Sequence, residues 1–307
     1  MSPRAPQALA AALAALALQA SAQAPPTTRP PVVIEVEVDV VSITAVIHDK
    51  AGRFASGLGP KDIHIFEDGV PQDVTIFREA QGGEEKIPLS VGLVLDASGS
   101  MAQNMGFLRE AASSFVGKLE EVDEALVIQF NESVKGSAEF TGDIDRLDQF
   151  IAGLQAWGGT SLYDAIRYSL ERIKDRPGRK ALVVFSDGED TTSSITESEV
   201  VDYARAVEAT IYGVGIRGGP GGGGAPRGFL KKIAEETGGQ YFFPDKVGEL
   251  IRVFAAISAE LHRHYLLAYS PKKPPDGLFR KIEVRLDRKD LEVRVRKGYF
   301  AVKKRRR

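Results

Sequence analysis

Cysteine is absent from this chain of 307 residues. A disulfide framework and a thiolate metal site are therefore excluded. Charge of one sign is also scarce, because the formal net charge is only -2. That balance predicts no nucleic-acid partner and no strong overall attraction to membranes. Beyond the N-terminal region, no run of residues is long and apolar enough to span a bilayer, so the sequence predicts no transmembrane segment.

The composition that remains is that of an ordinary globular protein. Apolar residues make up 43% of the chain and charged residues 27%, both close to the average for soluble domains. A chain of 307 residues accommodates one large domain or two modest ones. Its oligomeric state is left open.

The N-terminal residues predict a secretory signal peptide over residues 1–24. Arg4 supplies a positive charge, Ala8 to Ala20 form an apolar stretch, and Ala22-Gln23-Ala24 matches a cleavage site. The apolar stretch is shorter than the roughly 20 residues of a membrane-spanning helix. The signal places the mature protein outside the cytoplasm, secreted or periplasmic. The alternative is a helical or disordered Ala-rich N-terminus. A Pro-rich linker follows over residues 25–31.

A β unit is predicted over residues 32–80. Val32 to Val40 alternate apolar and acidic residues, which is typical of a half-buried strand. Asp68-Gly69 predicts a hairpin turn between strands 62–66 and 72–77. This unit has too few residues to bury a large core alone.

From residue 88 to residue 260 the pattern changes to apolar strands that alternate with amphipathic helices. This succession predicts an α/β fold, with a doubly wound, mostly parallel sheet covered by helices on both faces. In such sheets, ligands bind at the carboxyl ends of the strands.

After the last helix, residues 262–302 return to a β pattern, followed by a basic tail over residues 303–307. Neither β segment alone has enough residues to bury a stable apolar core. We therefore expect the two segments to pair as one small β domain, with the α/β domain inserted between them.

Oxygen-bearing side chains follow two of the predicted buried strands. Asp96, Ser98 and Ser100 alternate directly after one strand, and Asp187 follows another. Thr160 adds a hydroxyl on a Gly-rich loop. Hard cations such as Mg²⁺ take oxygen ligands in near-octahedral geometry. A set with few charges leaves such an ion electron-poor, so that it still attracts an outside carboxylate.

These residues resemble the metal-ion-dependent adhesion site of the von Willebrand factor type A domain, which has a Rossmann-like fold. The D-x-S-x-S motif corresponds to Asp96, Ser98 and Ser100, and the separate threonine and aspartate correspond to Thr160 and Asp187. The resemblance implies bound Mg²⁺ or Mn²⁺ and a protein partner that presents Asp or Glu. It also implies adhesion or assembly rather than catalysis.

The flanking segments resemble a secreted bacterial family with a von Willebrand factor A-related domain, first recognised in acidobacteria. The resemblance rests on three phrases: Phe66-Glu-Asp-Gly69, Leu266-Leu-Ala-Tyr-Ser270 and Arg296-Lys-Gly-Tyr299. It covers nearly the whole mature chain and implies more about the fold than about the biology.

Alternatives remain for the individual residues. The five site residues also suit helix caps and turns. Ser186 and Glu189 flank Asp187 and could tune it, but they are expected to be solvated loop residues. Trp157 is either a partner anchor or buried against the end of the sheet. His262 and His264 would share one face of a strand but lack a third zinc ligand.

Two other functions compete with adhesion. One is a metal-dependent hydrolase, although the sequence around Ser98 is not the G-x-S-x-G nucleophile elbow. The other is a structural envelope protein whose metal site only stabilises the fold.

Overall fold

The computed structural model describes residues 40–80, 87–216 and 227–302. The predicted signal peptide, the Pro-rich linker, most of the predicted strand at 32–40 and the basic tail lie outside these ranges. So does most of the Gly-rich stretch at 218–228. Among the described residues, no helix is both long and apolar enough to cross a membrane.

Within residues 40–80, four strands precede the α/β region. They are β1 (Val41–Asp49), β2 (Ile63–Glu67), β3 (Val70–Gln72) and β4 (Val74–Ala80). Asp68 and Gly69 join β2 to β3 with φ angles of 49° and 80°. This left-handed turn matches the twist of a two-stranded hairpin, as the Asp-Gly pair predicts.

The prediction of one continuous strand over residues 72–77 was wrong. The hairpin partner of β2 ends at Gln72. β4 then begins at Val74 and pairs with a strand from the far end of the chain. The strand-like sequence pattern continues from β3 into β4, so the sequence gives no local sign that the chain passes from one sheet to another.

The described part of the α/β region, which omits residues 217–226, contains six strands and six α-helices. The first half comprises β5 (Leu89–Asp96), α1 (Met105–Val116), β6 (Glu124–Phe130), β7 (Val134–Gly136), α2 (Ile144–Ala152) and α3 (Leu162–Ile173). The second half comprises β8 (Arg179–Ser186), α4 (Glu197–Val207), β9 (Thr210–Gly215), α5 (Arg227–Thr237), β10 (Tyr241–Phe242) and α6 (Leu250–Leu261).

The strand order of this sheet is β10-β9-β8-β5-β6-β7, and every pair is parallel except β6 with β7. The doubly wound α/β fold class is thus confirmed. All eight residues of β5 are buried, because helices cover both faces of the sheet. Alternate residues such as Leu93 and Val94 enter separate apolar cores, one on each face.

Between α6 and residue 302, the structure describes four more strands. They are β11 (His264–Tyr269), β12 (Phe279–Leu286), β13 (Leu291–Arg294) and β14 (Gly298–Phe300). They join the first four strands in two antiparallel sheets, ordered β13-β1-β11-β4 and β14-β12-β2-β3. Residues such as Ile43, Ile65 and Leu267 share one apolar core between these sheets. Strands from both sides of the α/β region therefore stabilise each other.

Candidate metal site at the carboxyl edge of the sheet

Two neighbouring parallel strands bring two carboxylates to one edge of the sheet. β5 and β8 pair with Leu95 opposite Phe185. Asp96 ends β5, and Asp187 directly follows β8. Both aspartates are buried. The register of the strands therefore places the two carboxylates at the same level of the sheet.

Hydrogen bonds fix both oxygens of the Asp96 carboxylate. The backbone N–H of Ser98 donates to Oδ1 at 2.8 Å. The hydroxyl of Ser186 donates to Oδ2 at 2.6 Å. The first bond closes the turn after β5, and the second ties that turn to the end of β8.

A row of hydroxyls leads from the D-x-S-x-S loop to the second aspartate. The Oγ atoms of Ser98 and Ser100 lie 3.0 Å apart. The Ser100 hydroxyl donates to Oδ1 of Asp187 at 2.7 Å. Residues separated by 87 positions along the chain thus form one continuous polar cluster.

Thr160 lies beside this cluster on the loop before α3. A methyl group placed on Gly188 would lie 3.9 Å from Thr160 Oγ1, so the hydroxyl is close to the residue after Asp187. Thr191 Oγ1 accepts a hydrogen bond from the Thr160 N–H at 2.9 Å, and the Thr191 N–H donates to Thr160 O at 2.8 Å. Gly158, at a φ of 72°, accepts from Gly99 N–H at 3.0 Å. The Thr160 loop is therefore held on both sides.

Burial dominates the electrostatics of the site. It raises the pKa of Asp96 to about 6, against the hydrogen bonds from Ser186 and Ser98 that favour the charged form. Burial likewise raises the pKa of Asp187, opposed by the hydrogen bond from Ser100. Each carboxylate is thus partly, but not fully, compensated by the hydroxyls around it.

The residues fit a hard cation. Asp187 Oδ2 is buried and has no hydrogen-bond partner in the described part of the chain, which is costly unless another group compensates it. Two oxygen ligands at right angles around Mg²⁺, each at about 2.1 Å, lie about 3.0 Å apart. The Ser98–Ser100 separation of 3.0 Å has this value.

No group of three or more His, Cys, Asp or Glu residues in the described ranges could hold a metal ion. The site instead combines two carboxylates with three hydroxyls. The structure brings together every residue predicted for it: Asp96, Ser98, Ser100, Thr160 and Asp187.

The expectation that Ser186 is solvated was wrong. Ser186 is fully buried and bonds to Asp96, not to its neighbour Asp187. Ser186 is the last residue of β8 and directly follows five buried apolar residues. It lies at the same edge of the sheet as Asp96, and this position was the available signal. Glu189, in contrast, is exposed as expected.

The structure decides between the two alternatives for Trp157. Its side chain is 48% exposed, so it is not buried against the sheet. Its backbone N–H donates to Ala97 O at 2.9 Å, within the D-x-S-x-S loop. An exposed aromatic side chain therefore lies at the rim of the candidate site.

His262 and His264 do not share a strand. His262 caps the C-terminus of α6, and its Nε2 lies 2.8 Å from Asp123 Oδ2. His264 begins β11 and is buried. The prediction of one common strand face was wrong, because α6 extends as far as Leu261.

Fold and site together define a doubly wound α/β domain whose carboxyl edge offers oxygen ligands from two carboxylates and three hydroxyls. The model of the von Willebrand factor type A domain matches residues 90–256. The chain therefore belongs to the von Willebrand factor type A domain family. The finer resemblance to the family first recognised in acidobacteria stays a prediction.

Several known proteins are similar to this chain. An uncharacterized protein of Synechocystis sp. is 29% identical over 129 residues, which are 38% of this chain and 29% of that protein's length. A von Willebrand factor type A structure from Catenulispora acidiphila has a TM-score of 0.52 at 12% identity and covers 81% of this chain and 70% of its own. Proximal thread matrix protein 1 of the mussel byssus has a TM-score of 0.51 at 14% identity. The match covers 60% of this chain and 49% of that protein's chain. At these identities, the two structures show a shared fold alone.

Proposed function

We propose that this chain is a metal-dependent protein-binding module for adhesion or assembly. It would hold Mg²⁺ or Mn²⁺ at the carboxyl edge of the sheet and capture an Asp or Glu carboxylate of a protein partner. Membership of the von Willebrand factor type A family supports an interaction role. The observation that carries the proposal is the buried, unpartnered Oδ2 of Asp187 beside the Ser98–Ser100 hydroxyl pair.

Each residue has a distinct role in this proposal. The ligand set would comprise Asp96, Ser98, Ser100, Thr160 and Asp187, in part through water. Ser186 orients Asp96 through its hydrogen bond to Oδ2. When bound, the ion supplies positive charge that attracts a carboxylate from outside. The hydroxyls contribute lone pairs but no charge, so they leave more of that positive charge for the partner.

The setting of this activity is part of the same proposal. The predicted signal peptide over residues 1–24 indicates a secreted or periplasmic protein. The proposed role is binding rather than catalysis, in line with membership of the von Willebrand factor type A family.

Calorimetric titration of Mg²⁺ and Mn²⁺ into the chelator-treated chain tests the metal site. We expect saturable one-site binding in the parent and none in Asp96→Ala. Asp202→Ala, which removes an exposed carboxylate on α4, is the matched control and should bind as the parent does. Circular dichroism of all three proteins verifies that they are folded. A folded parent that binds neither ion would contradict the proposal.

A second titration tests carboxylate capture. Acetate serves as the minimal carboxylate probe and acetamide as its neutral counterpart. If an outside carboxylate binds to the ion, acetate must raise the apparent Mg²⁺ affinity through linkage, and acetamide must not. Mg²⁺ that raises the melting temperature but binds with equal affinity in both solutions would support the purely structural alternative instead.

A further inference from the structure

A cavity of about 200 Å³ lies where the flanking strands meet the amino edge of the parallel sheet. The first residues of β8 and β9 and the C-terminal ends of α4 and α5 line one side of it, and β1, β11 and the start of β14 line the other. The candidate metal site lies at the opposite, carboxyl edge. The cavity exceeds the roughly 10–15 Å³ that one water needs but is smaller than sites for drug-sized ligands. It therefore suits a small molecule.

The flanks present hydroxyls to this cavity. Ile43 and Ala45 of β1 belong to the apolar core of the flanks. Because successive side chains of a strand point to opposite faces, Ser42 and Thr44 point the other way, and both line the cavity. The alternation along β1 thus gives the strand one apolar face for the core and one polar face for the cavity.

The charged side chains of the lining carry an excess of positive charge. Four cations face two carboxylates: Arg179, Lys180, Arg205 and Arg296 against Glu208 and Glu236. Outside the lining, Asp202 pairs with Arg205, and Lys297 pairs with Glu236. These two further charges are opposite in sign and cancel. An excess of two positive charges favours an anion with two negative ones.

Arg179 is a cation without a carboxylate partner among the described residues. Its Nη1 donates to a backbone carbonyl at the C-terminus of α6, and its Nε is buried with no hydrogen-bond partner in the described ranges. The nearby carboxylate of Asp123 is bonded to His262 instead. That of Glu260 is bonded to Arg294. Burial lowers the pKa of Arg179 to about 10, so a bound counter-ion would compensate a costly charge.

Arg296 brings a second guanidinium group to the cavity from the flanks. Its Nη2 donates to Ser42 O at 2.8 Å, and its Nη1 lies 3.2 Å from Glu208 Oε1. Only 11% of the side chain is exposed. Its Nε is buried and has no hydrogen-bond partner in the part of the chain that the structure describes. Two arginines on separate elements therefore each keep a buried N–H without an acceptor.

We propose that this cavity binds a small dicarboxylate, with one carboxylate on Arg179 and the other on Arg296. Guanidinium groups form strong, charge-assisted hydrogen bonds with carboxylates. The two groups are anchored separately, one at the end of α6 and one at β1. Separate anchoring favours two separate carboxylates over one compact anion such as phosphate. The site lies away from the metal-binding edge, so the proposal does not depend on metal-dependent binding.

Calorimetric titration of malonate, succinate and glutarate into the full chain tests this proposal. Chelator is present throughout, so the metal edge does not contribute. We expect saturable one-site binding of at least one of the three. Acetate, inorganic phosphate and the neutral diamide of the best dicarboxylate should each bind about tenfold more weakly or less, because each loses a charge-assisted hydrogen bond or the separation between the charges.

Variants at the cavity locate the site. Arg179→Gln and Arg296→Gln should each weaken binding of the best dicarboxylate about tenfold or more. Arg172→Gln is the matched control, since Arg172 also donates to a backbone carbonyl but does not line the cavity, and it should bind as the parent does. Thr44→Leu fills the cavity without removing a charge and should also abolish binding. Circular dichroism verifies that each variant is folded.

Three results would overturn the proposal. The first is a folded parent that binds none of the dicarboxylates. The second is phosphate binding as tightly as the best dicarboxylate, which would make the ligand a compact anion. The third is parent-like binding by the folded variants at Arg179, Arg296 and Thr44, which would place the ligand elsewhere. Asp96→Ala should bind the dicarboxylate normally, and this separates failure of the cavity from failure of the metal site.

Discussion

Glu67 and Arg280 form an ion pair inside the β flanks. Arg280 Nη1 donates to Glu67 Oε1 at 2.9 Å, and both side chains are almost fully buried. The hydroxyls of Tyr269 and Tyr299 donate to the other oxygen, Oε2, at 2.7 and 2.8 Å. Each oxygen of this buried carboxylate is therefore satisfied, as a charge in a low-dielectric interior requires.

Removing this carboxylate should strongly destabilise the protein. Glu67→Ala leaves two buried tyrosine hydroxyls without their acceptor. It also removes the buried partner of the Arg280 charge, which keeps only two backbone carbonyls and the partly exposed Asp276. The unfolding free energy should therefore fall by roughly 3–5 kcal/mol. Glu283→Ala is the control, because it removes an exposed carboxylate that pairs with Arg285 and should change the stability little. Urea denaturation measures both. Equal losses of unfolding free energy in the two variants would show that the buried ion pair contributes no more to stability than the exposed one.

Ser186 should affect metal affinity without being a ligand. Ser186→Ala removes the hydrogen bond that orients Asp96, and the loss of such an outer partner typically weakens metal binding about 10- to 100-fold. Ser169→Ala is the matched control, since Ser169 is also buried but donates to Ala165 O within α3. Mg²⁺ calorimetry compares the two. If both variants bind Mg²⁺ like the parent, Ser186 has no part in orienting Asp96.

Trp157 should report metal binding directly. It is the single tryptophan of the chain and is bonded through its backbone to the D-x-S-x-S loop. We expect a saturable change in its fluorescence on addition of Mg²⁺, with the same midpoint as in calorimetry. Trp157→Phe should lose the signal but keep the binding. A fluorescence change that persists in Asp96→Ala would mean that it arises elsewhere.

His264 should make the protein less stable in acid. It is buried, and neither ring nitrogen has a hydrogen-bond partner in the described ranges. Burial lowers its pKa to about 2, with further lowering by the positive charges of Arg179 and His262. The unfolded chain takes up a proton near pH 6.5 and the folded chain does not. Stability therefore falls as the pH drops below about 6.5, by roughly 1.4 kcal/mol per pH unit.

His264→Phe should remove this slope. Between pH 6.5 and pH 4.5 its unfolding free energy should improve by roughly 2–3 kcal/mol relative to the parent, as measured by urea denaturation at each pH. His264→Leu should show the same pH dependence as His264→Phe, at a different absolute stability. The hydrogen bond to Asp123 raises the pKa of His262, which adds stability at low pH and loses it as the pH rises. That contribution is common to all three proteins, so it cancels in the comparison.

Short windows of sequence were enough for the elements and for the candidate ligand set. Val91 to Leu95 are apolar without interruption because both faces of β5 are covered. Asp68-Gly69 favours left-handed backbone locally, so the hairpin was predictable. Thr196 and Glu199 form a capping box at the start of α4, a pattern that lies within four residues of sequence. The five candidate ligands all follow strands or precede a helix at one edge, a consequence of parallel topology alone.

Only the tertiary structure decided how distant residues meet. The three flanking phrases contribute Glu67, Tyr269 and Tyr299 to one buried cluster, yet nothing local in any of them predicts the others. The Ser186–Asp96 bond, the exposure of Trp157 and the separate positions of His262 and His264 likewise depend on contacts between elements. Periodicity and turn chemistry act within a few residues, so the sequence by itself determined the elements and their polarity. Strand pairing and side-chain packing act across the whole chain, and they alone determined which polar groups are buried together and which apolar ones remain exposed.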